Sequence, residues 1–313
     1  MEHWHYLYAG LQVDSHLEIP EWDGFESTGV SKQADVHIRL GNVSEGVSEC
    51  PKDVPFIHSS EYCFCVPDVA SYRVRQGREI SVSPVPGAGG QEVRLYLLGS
   101  AWGVLCYQRS QLALHASVVE VGTQAVMFCG ASGTGKSCTA AWLVRQGYPL
   151  VSDDLCCFDL LPDGTPLVHA SARRLKLWRD AIEALNWKEQ ELVRDHVRLD
   201  KFHLVDLPGL RKSGRSEPLR LRAIYLLNWG ENNLVRLTGL EALRRFVRAA
   251  TYRGDLLEKM GLPASHWQRC IQLIQHTPVY EFSRPRDWTA LETAMNLTFG
   301  HEFGQKEETF YTG

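Results

Sequence analysis

Through the first third of the chain apolar and polar residues alternate in short runs, at Tyr6 to Val13, Asp35 to Val43 and Tyr72 to Val82, the last with a turn at Gln76-Gly77. A period of two predicts strands. Val93 to Leu98 reads as a last strand of this set, Ala101 to Arg109 as a linking helix, and the Pro- and Gly-rich stretch Ser83 to Gly90 as a loop. From about residue 112 the texture changes. Leu112 to Glu120 and Gln124 to Cys129 predict a hairpin around Val121-Gly122-Thr123, with Glu120 opposite Gln124 and His115 opposite Cys129. Cys138 to Gln146 is dense in helix formers and stops at Gly147; Tyr148 to Ser152 and Leu155 to Leu160 read as two further strands. Later, Leu219 to Leu227 and Pro278 to Phe282 predict strands, and Gly239 to Ala250, Tyr252 to Met260 and Pro263 to His276 predict helices. The pattern predicts an α/β domain over 109–300, a smaller β-rich domain over 1–108 and a polar tail over 301–313.

The chain has 313 residues, 44% hydrophobic and 22% charged, as for an ordinary globular protein of about two domains. A formal net charge of −4 gives no basic footprint for nucleic acid, and no apolar run reaches the length of a membrane span. The amino terminus lacks a basic stretch followed by an apolar one, so a cytoplasmic protein is expected. Nine cysteines without the spacing of a zinc or redox motif read as free thiols, and His3, His5 and His16 as isolated histidines.

Chemistry concentrates at Gly130-Ala131-Ser132-Gly133-Thr134-Gly135-Lys136-Ser137, which satisfies the phosphate-loop pattern G-x-x-x-x-G-K-[ST] in full. Such a loop turns backbone N–H groups toward phosphate oxygens, and Lys136 would bring a point charge to the β- and γ-phosphates. The Ser137 hydroxyl suits the oxygen shell of Mg²⁺. The preceding apolar run and the following helix supply the strand–loop–helix context that the pattern requires. ATP and Mg²⁺ are the cofactors this predicts. Asp153 and Asp154 follow a strand-like run and should lie at a strand end beside the triphosphate, where one carboxylate can hold the metal and the other can accept the proton of an attacking hydroxyl. A polar turn between two strands is the competing reading. His115 would stand near the loop's entrance, where it can hydrogen-bond a catalytic carboxylate or a phosphate oxygen; a histidine that merely finishes an edge strand is the competing reading.

Leu114-His115-Ala-Ser-Val-Val, the loop 130–137 and Leu150-Val-Ser-Asp153-Asp154 together resemble the catalytic core of HPr kinase/phosphorylase, a P-loop fold related to phosphoenolpyruvate carboxykinase. The resemblance implies that His115 is an active-site histidine, that Asp153 is the general base and that Asp154 is the metal-side carboxylate. Ala172 to Trp178 lacks the acidic, arginine and glycine signature of that family, so phosphorolysis is not expected. Leu177 to Ala181, Leu199 to Phe202, Glu241 to Leu243, Thr251 to Arg253 and Ser283 to Asp287 are similar to HPr-kinase-like enzymes of lasso-peptide biosynthesis. That similarity implies a kinase acting on a serine hydroxyl at the carboxyl end of a precursor peptide, and is compatible with a homo-oligomer. By charge and donor geometry Arg173, Arg174 and Lys201 are candidate contacts for a substrate carboxylate or the transferring phosphoryl group, with membership of surface ion pairs as the competing reading. The alternatives are a kinase for a folded carrier protein and a nucleotide-binding sensor without transfer.

Overall fold

The computed structural model describes residues 3–27, 34–41, 56–58, 60–171, 175–187, 192–194, 200–204 and 217–303. The architecture is mixed α/β, with two seven-stranded sheets and a three-stranded one among these residues.

The first sheet contains β1 (Trp4–Tyr8), β2 (Leu11–Ser15), β3 (Val36–Leu40), β4 (Phe56–His58), β5 (Glu61–Val66), β6 (Ala70–Arg75) and β7 (Glu79–Pro84), in the order β1-β2-β3-β7-β6-β5-β4. Val93 to Leu98 is not a strand. It belongs to a continuous helical segment made of α1 (Gly90–Tyr96), a π turn (Leu97–Ala101) and α2 (Trp102–Gln108). Periodicity over six residues cannot separate a buried helix from a strand, and here Val93, Leu97 and Ala101 recur at the helical spacing of four, all buried. The expected linking helix at Ala101 to Arg109 is α2, with every residue from Trp102 to Tyr107 buried.

The second sheet is built from β8 (Leu112–Val121), β9 (Gln124–Cys129), β10 (Leu150–Leu160), β11 (Pro166–Val168), β15 (Leu219–Trp229), β16 (Asn233–Leu237) and β17 (Val279–Arg284). Its order is β11-β10-β8-β9-β15-β17-β16, and β11 also pairs with β15, so five strands close on one another at that end. The third sheet holds β12 (Leu175–Trp178), β13 (Leu192–Arg194) and β14 (Lys201–Leu204). The remaining helices are α3 (Lys136–Arg145), α4 (Arg179–Ala184), α5 (Gly239–Ala250), α6 (Gly254–Lys259), α7 (Pro263–His276) and α8 (Trp288–Phe303). Among the described residues no helix is long and apolar enough to cross a membrane.

Three sequence expectations shift. In the β8–β9 hairpin Val121 pairs with Gln124 and Ala116 with Cys129, one residue away from the expected register. A two-residue turn with Gly122 at its first central position (φ +61°) replaces the three-residue connection, because a glycine there accepts the positive φ that tight hairpins need. Leu150 to Leu160 is one strand, so Asp153 and Asp154 lie within it and not at its end. The histidines of the first sheet are not isolated. His3 and His37 place ring nitrogens 2.9 and 3.2 Å from the Asp14 carboxylate, beside Arg39 at 2.7 Å, and His16 meets the His3 ring edge-on at 4.9 Å.

Candidate active site

β9 runs into the loop 130–137, and α3 begins at Lys136. Gly135 has φ +83°, and a Cβ on it would lie 2.6 Å from Arg284 Nη2, so both the backbone and the space behind the loop require glycine. Arg284, from the end of β17, is 1% exposed and holds the loop from below. Its Nη2 donates to the Thr134 and Gly135 carbonyls at 3.3 Å and to Thr139 Oγ1 at 2.9 Å, and its guanidinium lies over the Trp229 ring at 4.5 Å. Burial lowers its pKa to about 10, which still leaves it charged near neutrality. Lys136 Nζ donates to the Gly130 carbonyl at 2.9 Å and the Ala131 carbonyl at 3.2 Å. Burial pushes the Lys136 pKa down, partly offset by Cys129, Asp153 and Asp154.

The carboxylate pair stands opposite the loop. Asp154 pairs with Ala116 on β8, and Ala116 pairs with Cys129 on β9, so the acid lies level with the start of the loop. Successive strand residues ordinarily face opposite sides of a sheet. Asp154 breaks that rule with a left-handed backbone (φ +71°), and both carboxylates line one cavity of about 560 Å³ together with His115, Lys136 and Ser137. A non-glycine residue in this conformation costs on the order of 1–3 kcal/mol, a strain that concentrates at functional sites.

The two acids sit in different surroundings. Asp153 is buried and accepts hydrogen bonds from Ser117 Oγ at 2.5 Å, Ser137 Oγ at 3.1 Å and the Lys176 amide at 3.3 Å. Burial raises its pKa despite these donors, and the neighbouring Asp154 charge adds to the rise. Asp154 is partly exposed, with Lys176 Nζ 3.5 Å from one oxygen and His115 Nε2 3.5 Å from the other. Burial alone would raise its pKa; Lys176, His115 and Lys201 outweigh that and hold it below the usual carboxylate range. His115 is itself pushed below the ordinary imidazole range by burial and by Lys136, with Asp154 working against them.

Of the residues singled out in the sequence, the structure therefore gathers His115, Gly130 to Ser137, Asp153 and Asp154 at one place. Lys201, on β14, lines the same cavity, with its ammonium 5.7 Å from the Trp178 ring. Arg173 and Arg174 lie outside the described residues. Sequence reasoning does not single out Lys176, whose strand reads only as apolar–polar alternation, nor the roles of Arg284 and Tyr252. The Tyr252 ring meets the His115 ring edge-on at 6.4 Å, and its carbonyl accepts a hydrogen bond from Tyr107 Oη on α2.

No protein-family model and no curated protein sequence matches this chain. Among solved structures, the HPr(Ser) kinase/phosphatase from Coxiella burnetii is similar over 62% of this chain and 98% of its own, at 14% sequence identity and a TM-score of 0.32. A likeness of that size fixes neither family nor activity.

Proposed function

We propose that the chain is an ATP- and Mg²⁺-dependent kinase of HPr-kinase-like type that transfers the γ-phosphoryl group to a serine hydroxyl of a small peptide, with a lasso-peptide precursor as the leading substrate. The observation that carries this reading is the division of the carboxylate pair at the mouth of a complete phosphate loop. Ser137 Oγ and the Asp153 carboxylate, 3.1 Å apart, are two hard oxygen donors at the place where Mg²⁺ is held in such loops. A divalent cation would also relieve the burial that disfavours ionised Asp153. Asp154, ionised and reachable from the cavity, is placed to take the acceptor's proton, with His115 beside it. This reverses the roles that the family resemblance implied, in which Asp153 was the base and Asp154 the metal-side group.

In the transfer, the serine oxygen forms a bond to the γ-phosphorus, the bond from that phosphorus to the β–γ bridging oxygen breaks, ADP leaves and the serine proton passes to Asp154. Lys136 and the loop amides fix the phosphates and offset the charge on them. Incubating the protein with ATP, Mg²⁺ and serine-containing peptides and reading the products by mass spectrometry tests the proposal. The expected result is one added phosphoryl group on the serine, lost in Lys136→Ala. ATP consumption without any phosphorylated peptide would defeat it.

A further inference from the structure

A second cavity, of about 360 Å³, meets the first at the carboxylates and shares Asp153, Asp154, Lys176, Trp178 and Lys201 with it, yet no residue of the phosphate loop lines it. Its far walls come from the amino-terminal part of the chain. Tyr8 and Trp22 stack at 4.1 Å and are buttressed by Trp102, whose ring lies 5.2 Å from each, so this wall is rigid. Tyr96 and Leu98, both partly exposed, extend it along α1 and the π turn. Glu21, the wall's acidic side chain, is held by Arg94 at 2.6 Å. Arg253 completes the rim, in a left-handed backbone (φ +42°) at the start of α6.

We infer that this cleft is the acceptor subsite of the kinase proposed above, and that it takes a linear peptide segment with a large apolar side chain next to the phosphorylated serine and an acidic group beyond it. The inference rests on the kinase reading and adds to it the far walls of the cleft, from Tyr8 and Trp22 to Tyr96, Leu98 and Arg253. A hydroxyl can reach Asp154 from this side without crossing the nucleotide's place. The aromatic wall rewards an apolar neighbour, and Lys201 with Arg253 complements a negative group further out. A volume of this size accommodates a few residues of extended chain, whereas a folded carrier protein would need on the order of 800 Å² of its surface against a matching face. The amino-terminal part of the chain thereby gains a role: its edge at Tyr8 and Trp22, together with α1 and the π turn, is the wall that reads the acceptor.

The test uses two ten-residue peptides with a single serine followed two residues later by aspartate, one with phenylalanine before the serine and one with alanine. Wild-type protein should show a KM at least tenfold lower for the phenylalanine peptide, since that peptide removes a large apolar side chain from water on binding and the alanine peptide does not. Tyr96→Ala should erase most of that preference with the KM for ATP unchanged, and Arg253→Glu, at an exposed position, should raise KM for both peptides. Fluorescence anisotropy of the labelled phenylalanine peptide reads binding without turnover. Transfer that is indifferent to the phenylalanine and to Tyr96 would overturn the cleft while leaving the kinase reading intact. Tyr96-dependent binding without transfer would do the opposite.

Discussion

At the scale of single residues, the proposed chemistry turns on how two adjacent carboxylates are kept unlike. Asp153 is enclosed by Ser117, Ser137 and the Lys176 amide, whereas Asp154 faces the cavity between Lys176 and His115. Removing the charge of each should therefore have different consequences. Asp153→Asn should shift the Mg²⁺ dependence of phosphotransfer to higher concentration, because one of two oxygen donors is weakened. Asp154→Asn should leave that dependence in place and lower kcat by about 10² to 10⁴, the usual worth of a positioned proton acceptor. Magnesium titrations of both variants at saturating ATP decide between this assignment and its reverse: a right-shifted curve for Asp154→Asn alone would restore the roles that the family resemblance implied.

At the scale of elements, the site depends on contacts made from behind it. Tyr252 sits against α2 and the π turn, where a Cβ on Gly103 would come within 2.9 Å of the ring and one on Gly99 within 3.2 Å of its hydroxyl. Gly103→Ala gains about 1 kcal/mol of helix propensity but must displace a buried ring that abuts His115. The expected outcome is a lower kcat with unchanged ATP affinity, and the matched substitution at Gly99 should be milder. Equal kinetics for Gly103→Ala and wild type would show that Tyr252 does not position the histidine. The π turn that opens this notch was not legible in the sequence, since Val93 to Leu98 fits a strand and a helix equally over so short a run. The phosphate loop and α3 were legible because glycine spacing and helix formers act locally. The left-handed Asp154 was not, because it depends on the neighbours of β10 and on no pattern within it.

A buried histidine on α7 gives the elements a pH signature. His266 is 4% exposed, with Nε2 3.0 Å from Thr251 Oγ1, and burial lowers its pKa from 6.5 to about 4. The folded value lies below the unfolded one, so as pH falls the unfolded chain takes up the proton first. The stabilising contribution is complete above pH 6.5 and is lost as pH falls toward about 4, a change of roughly 3 kcal/mol from this group. Urea midpoints measured across that window should fall steeply for wild type and less so for His266→Gln. Parallel slopes would assign the acid sensitivity to other groups.

At the scale of the whole molecule, the expected division into a β-rich unit over 1–108 and an α/β unit over 109–300 meets a shared core. One apolar cluster joins Tyr6, Trp22, Tyr72 and Ile80 of the first unit, through Trp102 and Leu105 of α2, to Ala113, Leu155, Cys157, Tyr252, Leu256 and Leu257 of the second. The larger of these side chains each contribute about 1.5–3 kcal/mol by burial, and a typical fold is stable by only about 5–15 kcal/mol. A fragment spanning 109–313 would expose the second set together, including Tyr252 and hence the support of His115. It should therefore be insoluble or lack a cooperative unfolding transition, and it should not phosphorylate peptide even though its phosphate loop is complete. The full chain should unfold in one step, with tryptophan fluorescence and far-ultraviolet circular dichroism following the same urea curve, because Trp22 and Trp102 report on the shared core and Trp142 and Trp229 on the second sheet. Two resolved transitions, or a soluble and active 109–313 fragment, would show instead that the catalytic unit stands alone and that the amino-terminal sheet is not part of its active structure.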